Sequence, residues 1–214
     1  MNRIALKLAD KRQWFEIFDR AEFTLFVLTD QPPKLGERVR VDLTVGPGGP
    51  RVILRGDVVA RQPPRSGLRA GFKLGLGPYE REKVNYLSGY VRGGLLDLRE
   101  MRRLPIRLAV TYRAAAGQRQ GFTRDLNEAG LFIIDEAPLP EGTQVSLELY
   151  RPDGAAPLSL QATVSHTVVV EDEDVPGMGL RLELDANGRS LLRDVVDELE
   201  QRLIRGTLPD ETLL

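Results

Sequence analysis

Residues 39–45 read VRVDLTV, and this regular alternation of apolar and polar side chains decides the fold class. Successive side chains of a strand point to opposite faces, so a period of two predicts a half-buried β-strand. A turn rich in Gly and Pro follows at 46–50, and residues 52–60 and 70–74 supply two further strands. The first half of the chain therefore consists mainly of short strands separated by turns.

The second half of the chain repeats this order. Residues 145–150 (VSLELY) alternate, residues 151–154 (RPDG) form a turn, and residues 158–170 supply one long strand or a bent pair of strands. The stretch GLRL at 179–182 corresponds to GFKL at 71–74. We interpret the two halves as two copies of one β-rich unit.

The correspondence extends upstream and to the helices. Residues 130–135 align with residues 24–29, and residues 139–142 align with residues 33–36. A helix is predicted at 79–91 in the first copy. A second helix, at 185–203, is amphipathic and has Asp185 as its N-cap. Its apolar face is formed by Leu192, Val195, Val196, Leu199 and Leu203.

Two short motifs carry the candidate chemistry. Residues 102–107 read RRLPIR, and residues 125–130 read DLNEAG. A guanidinium is planar, permanently charged and donates in a fork, which suits both a phosphate and the O6/N7 edge of guanine. A carboxylate and an amide on a tight turn can bind the N–H groups of a purine edge. Together the motifs favour a ligand that carries phosphates and guanines.

These motifs resemble the RxxxR and D/N-x-S/A-x-x-G motifs of PilZ domains, which bind the bacterial second messenger cyclic di-GMP. The resemblance implies a mainly β fold with two tandem PilZ-type six-stranded antiparallel β-barrels, each followed by a C-terminal helix. We expect a degenerate PilZ-like domain at 1–92, a hinge or linker at 93–98, and a PilZ domain with the binding motifs at 99–214.

The resemblance also implies the binding residues. Arg103 and Arg107 correspond to the two arginines of RxxxR, and Arg102 is the preceding arginine that is associated in the family with capture of a stacked pair of ligands. Asp125 would accept from guanine N–H groups. Asn127 stands where the family most often has Ser or Ala, and Gly130 would supply a backbone conformation that other residues adopt only with strain. The predicted cyclic di-GMP site is therefore formed by Arg102, Arg103, Arg107, Asp125, Asn127 and Gly130.

The first copy lacks these two binding motifs. Where the second copy has residues 125–130, the first has residues 19–24 (DRAEFT), which keep the aspartate but neither the asparagine nor the glycine. The nearest approach to RxxxR, at 3–7, ends in Lys7, and lysine lacks the planar fork. We expect this domain to pack against, or respond to, the second domain.

Composition excludes several other classes. The chain of 214 residues has no cysteine and a single histidine, which excludes disulfides and leaves no zinc ligand set. We expect neither a metal site nor an enzyme, because no phosphate-binding loop, catalytic triad or carboxylate dyad is present. The segment that begins at Met1 has no apolar core, and no run is long enough to span a bilayer, so a cytoplasmic protein without membrane insertion is predicted.

We predict a cyclic di-GMP receptor that binds its ligand at the interdomain face and changes its domain arrangement. The regulated partner, which is an unknown protein, would act in motility, exopolysaccharide or biofilm formation, or transcription. Two alternatives stay open: a PilZ-like adaptor without nucleotide binding, and a cyclic di-GMP-dependent DNA-binding regulator. The net charge of −1 disfavours DNA as a partner. Because the helix at 185–203 could cover a barrel end or dimerise, homodimerisation also stays open.

Overall fold

The alternating stretch at 39–45 lies within a strand, Arg38–Val45, in which Val39, Val41 and Leu43 have no exposed surface. The computed structural model describes residues 2–64, 69–93, 103–115, 117–169 and 175–213. Its strands and helices fall into two units, Met1–Gly94 with Leu203–Gly206, and Leu95–Arg202 with Thr207–Leu214.

Strands dominate the first unit, and two helices accompany them. The strands are β1 (Asn2–Leu8), β2 (Phe18–Asp19), β3 (Thr24–Leu28), β4 (Arg38–Val45), β5 (Arg51–Gln62) and β6 (Gly71–Leu76). The helices are α1 (Arg12–Ile17) and α2 (Arg81–Val91), the latter preceded by a 3₁₀ turn at Pro78–Glu80. The helix α2 ends at Val91, where the predicted helix at 79–91 also ends, and Gly93, with a φ of +75°, cannot continue it. The rest of the predicted linker at 93–98 lies outside the described residues.

The first unit differs from the predicted antiparallel barrel in two respects. Its described strands form a six-stranded sheet in the order β1-β4-β5-β6-β3-β2 that does not close into a barrel, and the β1–β4 pair is parallel. The chain leaves β1 and returns through α1 before β2, so β1 and β2 run in the same direction and no hairpin joins them. Only two residues of β2 are paired, and the buried Trp14 of α1 packs into the core at this end.

The second unit forms the predicted closed barrel, and the mainly β fold class is confirmed. The barrel order is β10-β11-β12-β9-β8-β7, and each of its six pairs of neighbouring strands is antiparallel. Its strands are β7 (Ala109–Ala114), β8 (Gly117–Leu126), β9 (Gly130–Ile134), β10 (Gln144–Leu149), β11 (Leu158–Val168) and β12 (Gly177–Leu182). The helix α3 (Ala186–Arg205) follows, and a 3₁₀ turn at Asp210–Leu213 comes near the end of the chain.

The helix α3 has the predicted cap and face. Asp185 accepts a hydrogen bond from the backbone N–H of Gly188 at 2.7 Å, as an N-cap does. Four of the five predicted apolar residues are buried, and Val196 is half-buried. These four are Leu192, Val195, Leu199 and Leu203.

The two units share backbone details that local alternation does not require. The N–H of Gly36 donates to the carbonyl of Val58 at 2.8 Å, and the N–H of Gly142 donates to that of Val164 at 2.8 Å. A bulge follows Val58 in β5 and Val164 in β11. The predicted alignment of residues 33–36 with 139–142 is therefore reproduced in the hydrogen bonding.

The strand register corrects one part of the predicted alignment. Gly71 pairs with Leu28, the last residue of β3, and Gly177 pairs with Ile134, the last residue of β9. Gly71 therefore corresponds to Gly177, two residues before the Gly179 that the sequence alignment chose. A slip of two residues keeps every side chain on the same face, so alternation alone cannot detect it.

Candidate ligand-binding site

The arginine motif runs beside β8 and is held to it by backbone hydrogen bonds. The N–H of Leu104 donates to the carbonyl of Leu126 at 2.7 Å, and the N–H of Leu126 donates back at 3.0 Å. The chain then turns at Pro105, where the N–H of Ile106 donates to the carbonyl of Leu104 at 2.9 Å. Leu104 and Ile106 are buried, while Arg103 and Arg107 are half-buried. Arg102 lies outside the described residues.

A buried threonine fixes the second half of the motif. Thr123 of β8 has no exposed surface, and its hydroxyl donates to the carbonyl of Ile106 at 2.6 Å. The same hydroxyl accepts from the N–H of Leu108 at 2.9 Å. The N–H of Arg107 donates to the carbonyl of Thr212, in the 3₁₀ turn near the end of the chain. The backbone that carries Arg107 is therefore bonded on both sides.

Asp125 lies at the centre of the site. A bulge between Thr123 and Asp125 adds a residue to β8. The side chain of Asp125 is fully buried; one carboxylate oxygen accepts from Arg103 and the other from Arg124, both at 2.7 Å. The guanidinium of Arg124 also lies over the ring of Phe132, 3.8 Å from its centroid. The structure thus brings together Arg103 and Asp125 from the two sequence motifs.

Arg107 has a different partner on the same face of the barrel. Its guanidinium lies 3.7 Å from the centroid of the Phe122 ring. Phe122 pairs with Ile134 and Asp125 pairs with Phe132, so both lie on the face that Ile134 and Phe132 share. Ile134 and Phe132 are two residues apart in β9, which corresponds to about 7 Å along the strand. Because Phe122 and Asp125 lie beside them, Arg103 and Arg107 are held at neighbouring points of one outer face.

The turn after β8 is closed by hydrogen bonds of Asn127. Its side-chain carbonyl accepts from the N–H of Ala129 at 3.0 Å and from that of Gly130 at 2.9 Å. Its backbone N–H donates to the carbonyl of Gly130 at 2.9 Å. The amide that we expected to face a ligand thus has its oxygen committed to the turn.

Gly130 is required for a reason other than the predicted backbone strain. Its φ lies outside the left-handed region, and a Cβ at this position would come within 2.3 Å of the carbonyl oxygen of Leu180. The strand β12 approaches so closely that no side chain fits. The prediction that Gly130 supplies a special conformation is wrong, although the need for glycine holds.

The first unit contains a turn equivalent to the Asn127 turn of the second unit. The structure changes the residue of the second unit to which Asp19 corresponds. Asp19 pairs with Thr24 across the turn, and its carboxylate accepts from the N–H groups of Ala21 and Glu22 at 2.9 and 3.2 Å. Asp19 therefore does what Asn127 does in the second unit. The aspartate that appeared to correspond to Asp125 is a turn residue.

Sequence reasoning missed four residues of the site: Phe122, Thr123, Arg124 and Phe132. Arg124 stands next to the predicted Asp125, and that adjacency of opposite charges was the available signal. The roles of the other three depend on the bulge and on contacts across the sheet, which no local pattern indicates.

Residues 97–198 match the family model of the PilZ domain, so the second half of the chain contains a PilZ domain and the family predicted from the motifs is confirmed there. No curated protein shows significant similarity to the chain.

Three solved structures are among those that resemble the chain. The PilZ domain of CeSA from a cellulose-synthesizing bacterium is 22% identical, with a TM-score of 0.37, and the match covers 46% of this chain and 97% of that one. The PilZ domain of YcgR from Escherichia coli with c-di-GMP is 16% identical, with a TM-score of 0.36 and coverages of 47% and 92%. MrkH from K. pneumonia in its apo state is 13% identical, with a TM-score of 0.42 and coverages of 86% and 78%.

Two kinds of feature are absent from the described residues. In this part of the chain, no helix combines the length and the apolar character needed to cross a membrane. Nor do three or more His, Cys, Asp or Glu side chains there come close enough to hold a metal ion.

Proposed function

We propose that this protein is a receptor for cyclic di-GMP and that its PilZ domain binds the nucleotide on the outer face defined by Asp125 and Phe122. The observation that carries the proposal is that the two motifs meet: Arg103 of the first bonds to Asp125 of the second, across 22 positions of sequence. Arg107 is anchored on the same face. The guanidinium groups of Arg103 and Arg107 are thus both held by partners on one face of the barrel.

The chemistry of cyclic di-GMP suits this arrangement. Each guanidinium can donate two parallel hydrogen bonds to a phosphate or to the O6/N7 edge of guanine, and it can also stack on a base. Arg102, next to Arg103 in sequence, would add a third cation. Because both oxygens of Asp125 already accept from arginines, we propose that its first role is to orient Arg103 and Arg124. Binding of guanine N–H groups to Asp125 would use its remaining lone pairs.

The rest of the chain would convert binding into a signal. We propose that residues 1–92 form a degenerate PilZ-like domain and that residues 93–98 are the linker to the PilZ domain at 99–214. A ligand that binds one domain arrangement more tightly shifts the population toward it. The new arrangement would regulate a protein partner in the cytoplasm, and the protein would leave the nucleotide chemically unchanged.

Calorimetric titration of cyclic di-GMP tests the proposal directly. The wild-type chain is compared with Arg103→Ala/Arg107→Ala and with Arg113→Ala, which removes an exposed arginine of β7 whose partner is Gln118. We expect saturable binding by the wild type and the Arg113 variant, loss of binding by the double variant, and recovery of intact nucleotide. Absence of heat and of thermal stabilisation with the wild type would refute the proposal.

A specific observation favours one alternative, an adaptor that acts through protein contacts alone. Both oxygens of Asp125 and the side-chain oxygen of Asn127 already have partners within the protein. In an adaptor these bonds would be purely structural. A wild-type protein that is stable but does not respond to the nucleotide would identify this function.

A further inference from the structure

A groove lined by arginines lies beside the Asn127 turn in the second unit. Its volume is about 470 Å³, and it lies between the turn, the end of β12 and the first turns of α3. Its charged lining residues are Glu128, Arg181, Arg189 and Arg193. Three cations and one anion leave the groove with a surplus of positive charge, so it favours an anionic group.

The single anion of the groove is already neutralised. The carboxylate of Glu128, in the turn, accepts a hydrogen bond from the Nε of Arg193, in α3, at 2.6 Å. The side chains of Arg181 and Arg189 are exposed. Within the described residues, neither of these two side chains makes a hydrogen bond or a close ion pair, although the charge of Arg181 contributes, after side-chain hydrogen bonds, to the lowered pKa of the nearby Glu183. Among the residues that line the groove, the surplus charge is therefore carried by Arg181 and Arg189.

Strand register places Arg181 on the same outer face as Asp125. Arg181 pairs with Gly130, and Asp125 pairs with Phe132. Gly130 and Phe132 are two residues apart in β9, so their side-chain directions coincide, and paired residues share a face. Only two strand spacings, about 10 Å, separate the strand of Asp125 from that of Arg181.

Gly130, which pairs with Arg181, has no side chain on this face. The face of the neighbouring Gly179 is covered by the imidazole of His166, which a Cβ at that position would meet at 2.0 Å. A ligand that lies over Asp125 would therefore reach the groove across Gly130. A ligand with one anionic group near Arg103 and a second anionic group near Arg181 and Arg189 would have a positive partner for each.

We propose that Arg181 and Arg189 form a second anion subsite, which binds a phosphate of the same nucleotide that the arginine motif binds. This inference rests on the proposed function and extends it. The first subsite, at Arg103 and Arg107, engages one part of the dianionic ligand, and the groove engages the other phosphate. Arg193, tied to Glu128, holds α3 against the turn and so keeps Arg189 in position.

The test is titration of cyclic di-GMP into four forms of the full chain: wild type, Arg181→Gln/Arg189→Gln, Arg181→Lys/Arg189→Lys and Arg113→Gln. The glutamine pair removes charge at exposed positions and so leaves folding intact, which a thermal melt verifies. We expect it to weaken binding at least tenfold. The lysine pair should stay within about threefold of wild type, because an ammonium still serves a phosphate as a point charge. Arg113→Gln should be unchanged.

The outcomes separate this inference from the proposed function. Wild-type binding with no loss in the glutamine pair would overturn the second subsite and leave the receptor function standing. Loss in both the glutamine and the lysine pairs would overturn the phosphate assignment, since it would show that a planar guanidinium is required. If neither the wild type nor Arg113→Gln binds the nucleotide, the receptor function is refuted, and the second subsite with it.

Discussion

Arg103 and Asp125 form an ion pair in which the aspartate side chain is fully buried and the arginine side chain is one-third exposed, with 2.7 Å between Nη1 and Oδ1. The exposed part of Arg103 faces solvent, while its orientation is set by a group that solvent cannot reach. A buried carboxylate requires paired charges, and Arg124 supplies the second one. Asp125 thus links the stability of the PilZ domain to the presentation of its arginines.

Asp125→Asn should affect both stability and binding. The substitution preserves shape but leaves two guanidinium groups facing an amide. Breaking a buried pair costs about 3–5 kcal/mol of unfolding free energy, and we expect the lower end because Arg103 is partly exposed. Cyclic di-GMP affinity should fall at least tenfold, because Arg103 loses its orientation. Urea denaturation and calorimetry measure the two effects.

Asp57→Asn is the matched control for this substitution. Asp57 pairs with Arg38 at 3.5 Å, and both side chains are more than half exposed. An exposed pair contributes about 0–1 kcal/mol, so little change is expected. Equal effects of the two substitutions would show that Asp125 does no more than a surface carboxylate.

Gly130→Ala should destabilise the PilZ domain by about 2 kcal/mol or more, since a new Cβ would overlap the carbonyl of Leu180 and force backbone movement. Gly77→Ala is the control, because nothing lies within 4 Å of a Cβ at that position and its φ is −85°. The control should change stability by less than about 0.5 kcal/mol. A tolerated Gly130→Ala would mean that β9 and β12 can separate.

Much of the fold follows from local alternation. The stretch VRVDLTV at 39–45 and the stretch VSLELY at 145–150 each predicted a strand that the structure contains, because the side-chain period of a strand is set by its own backbone. The N-cap Asp185 was predictable for the same reason, since its partner lies three residues away. Features of this kind need no knowledge of the rest of the chain.

Features that depend on neighbouring strands were not predictable. The direction of β1 depends on the path through α1, and the alignment of Gly71 with Gly177 depends on pairing register. In the site, residue type predicted that Arg103 and Asp125 would act together. The bulge before Asp125, the hydrogen bonds of the Thr123 hydroxyl and the Arg124–Phe132 contact arise only when β8 pairs with β9.

Thr123→Val should loosen the arginine motif. The hydroxyl of Thr123 bonds to the carbonyl of Ile106 and the N–H of Leu108, and valine would leave both groups without these bonds in a buried setting. Unsatisfied buried groups cost about 1–3 kcal/mol each, so the unfolding free energy should fall by about 2–4 kcal/mol. Nucleotide affinity should fall as well, because Arg107 lies between the two groups.

Thr123→Ser separates the hydroxyl from the methyl group. Serine retains the bonds to Ile106 and Leu108 and removes only a buried methyl, so affinity should stay within about threefold and stability should fall by about 1 kcal/mol. Chemical denaturation and calorimetry on both variants give the comparison. If serine and valine lowered affinity equally, the hydroxyl would have no part in positioning Arg107.

Asp42 in the first unit should make stability depend on pH in the acid range. Burial raises the pKa of Asp42, but hydrogen bonds from Arg40, Arg51 and Arg3 outweigh it and lower the pKa from 3.8 to about 2. The folded state therefore binds a proton less readily than the unfolded state. The resulting stabilisation is fully present above about pH 4 and is lost as pH falls through 2, and it amounts to about 1–2 kcal/mol after allowance for solvent screening.

Asp42→Asn removes this titration and provides the test. Urea midpoints of the first unit, measured at pH 7, 4, 3 and 2, should show the wild type more stable than the variant at pH 7 and 4. The difference should shrink steadily between pH 4 and 2, because protonation of Asp42 in the wild type leaves a neutral group that the asparagine imitates. A difference that stays constant down to pH 2 would mean that Asp42 stabilises the unit through packing and neutral hydrogen bonds, and that its ionisation does not change on folding.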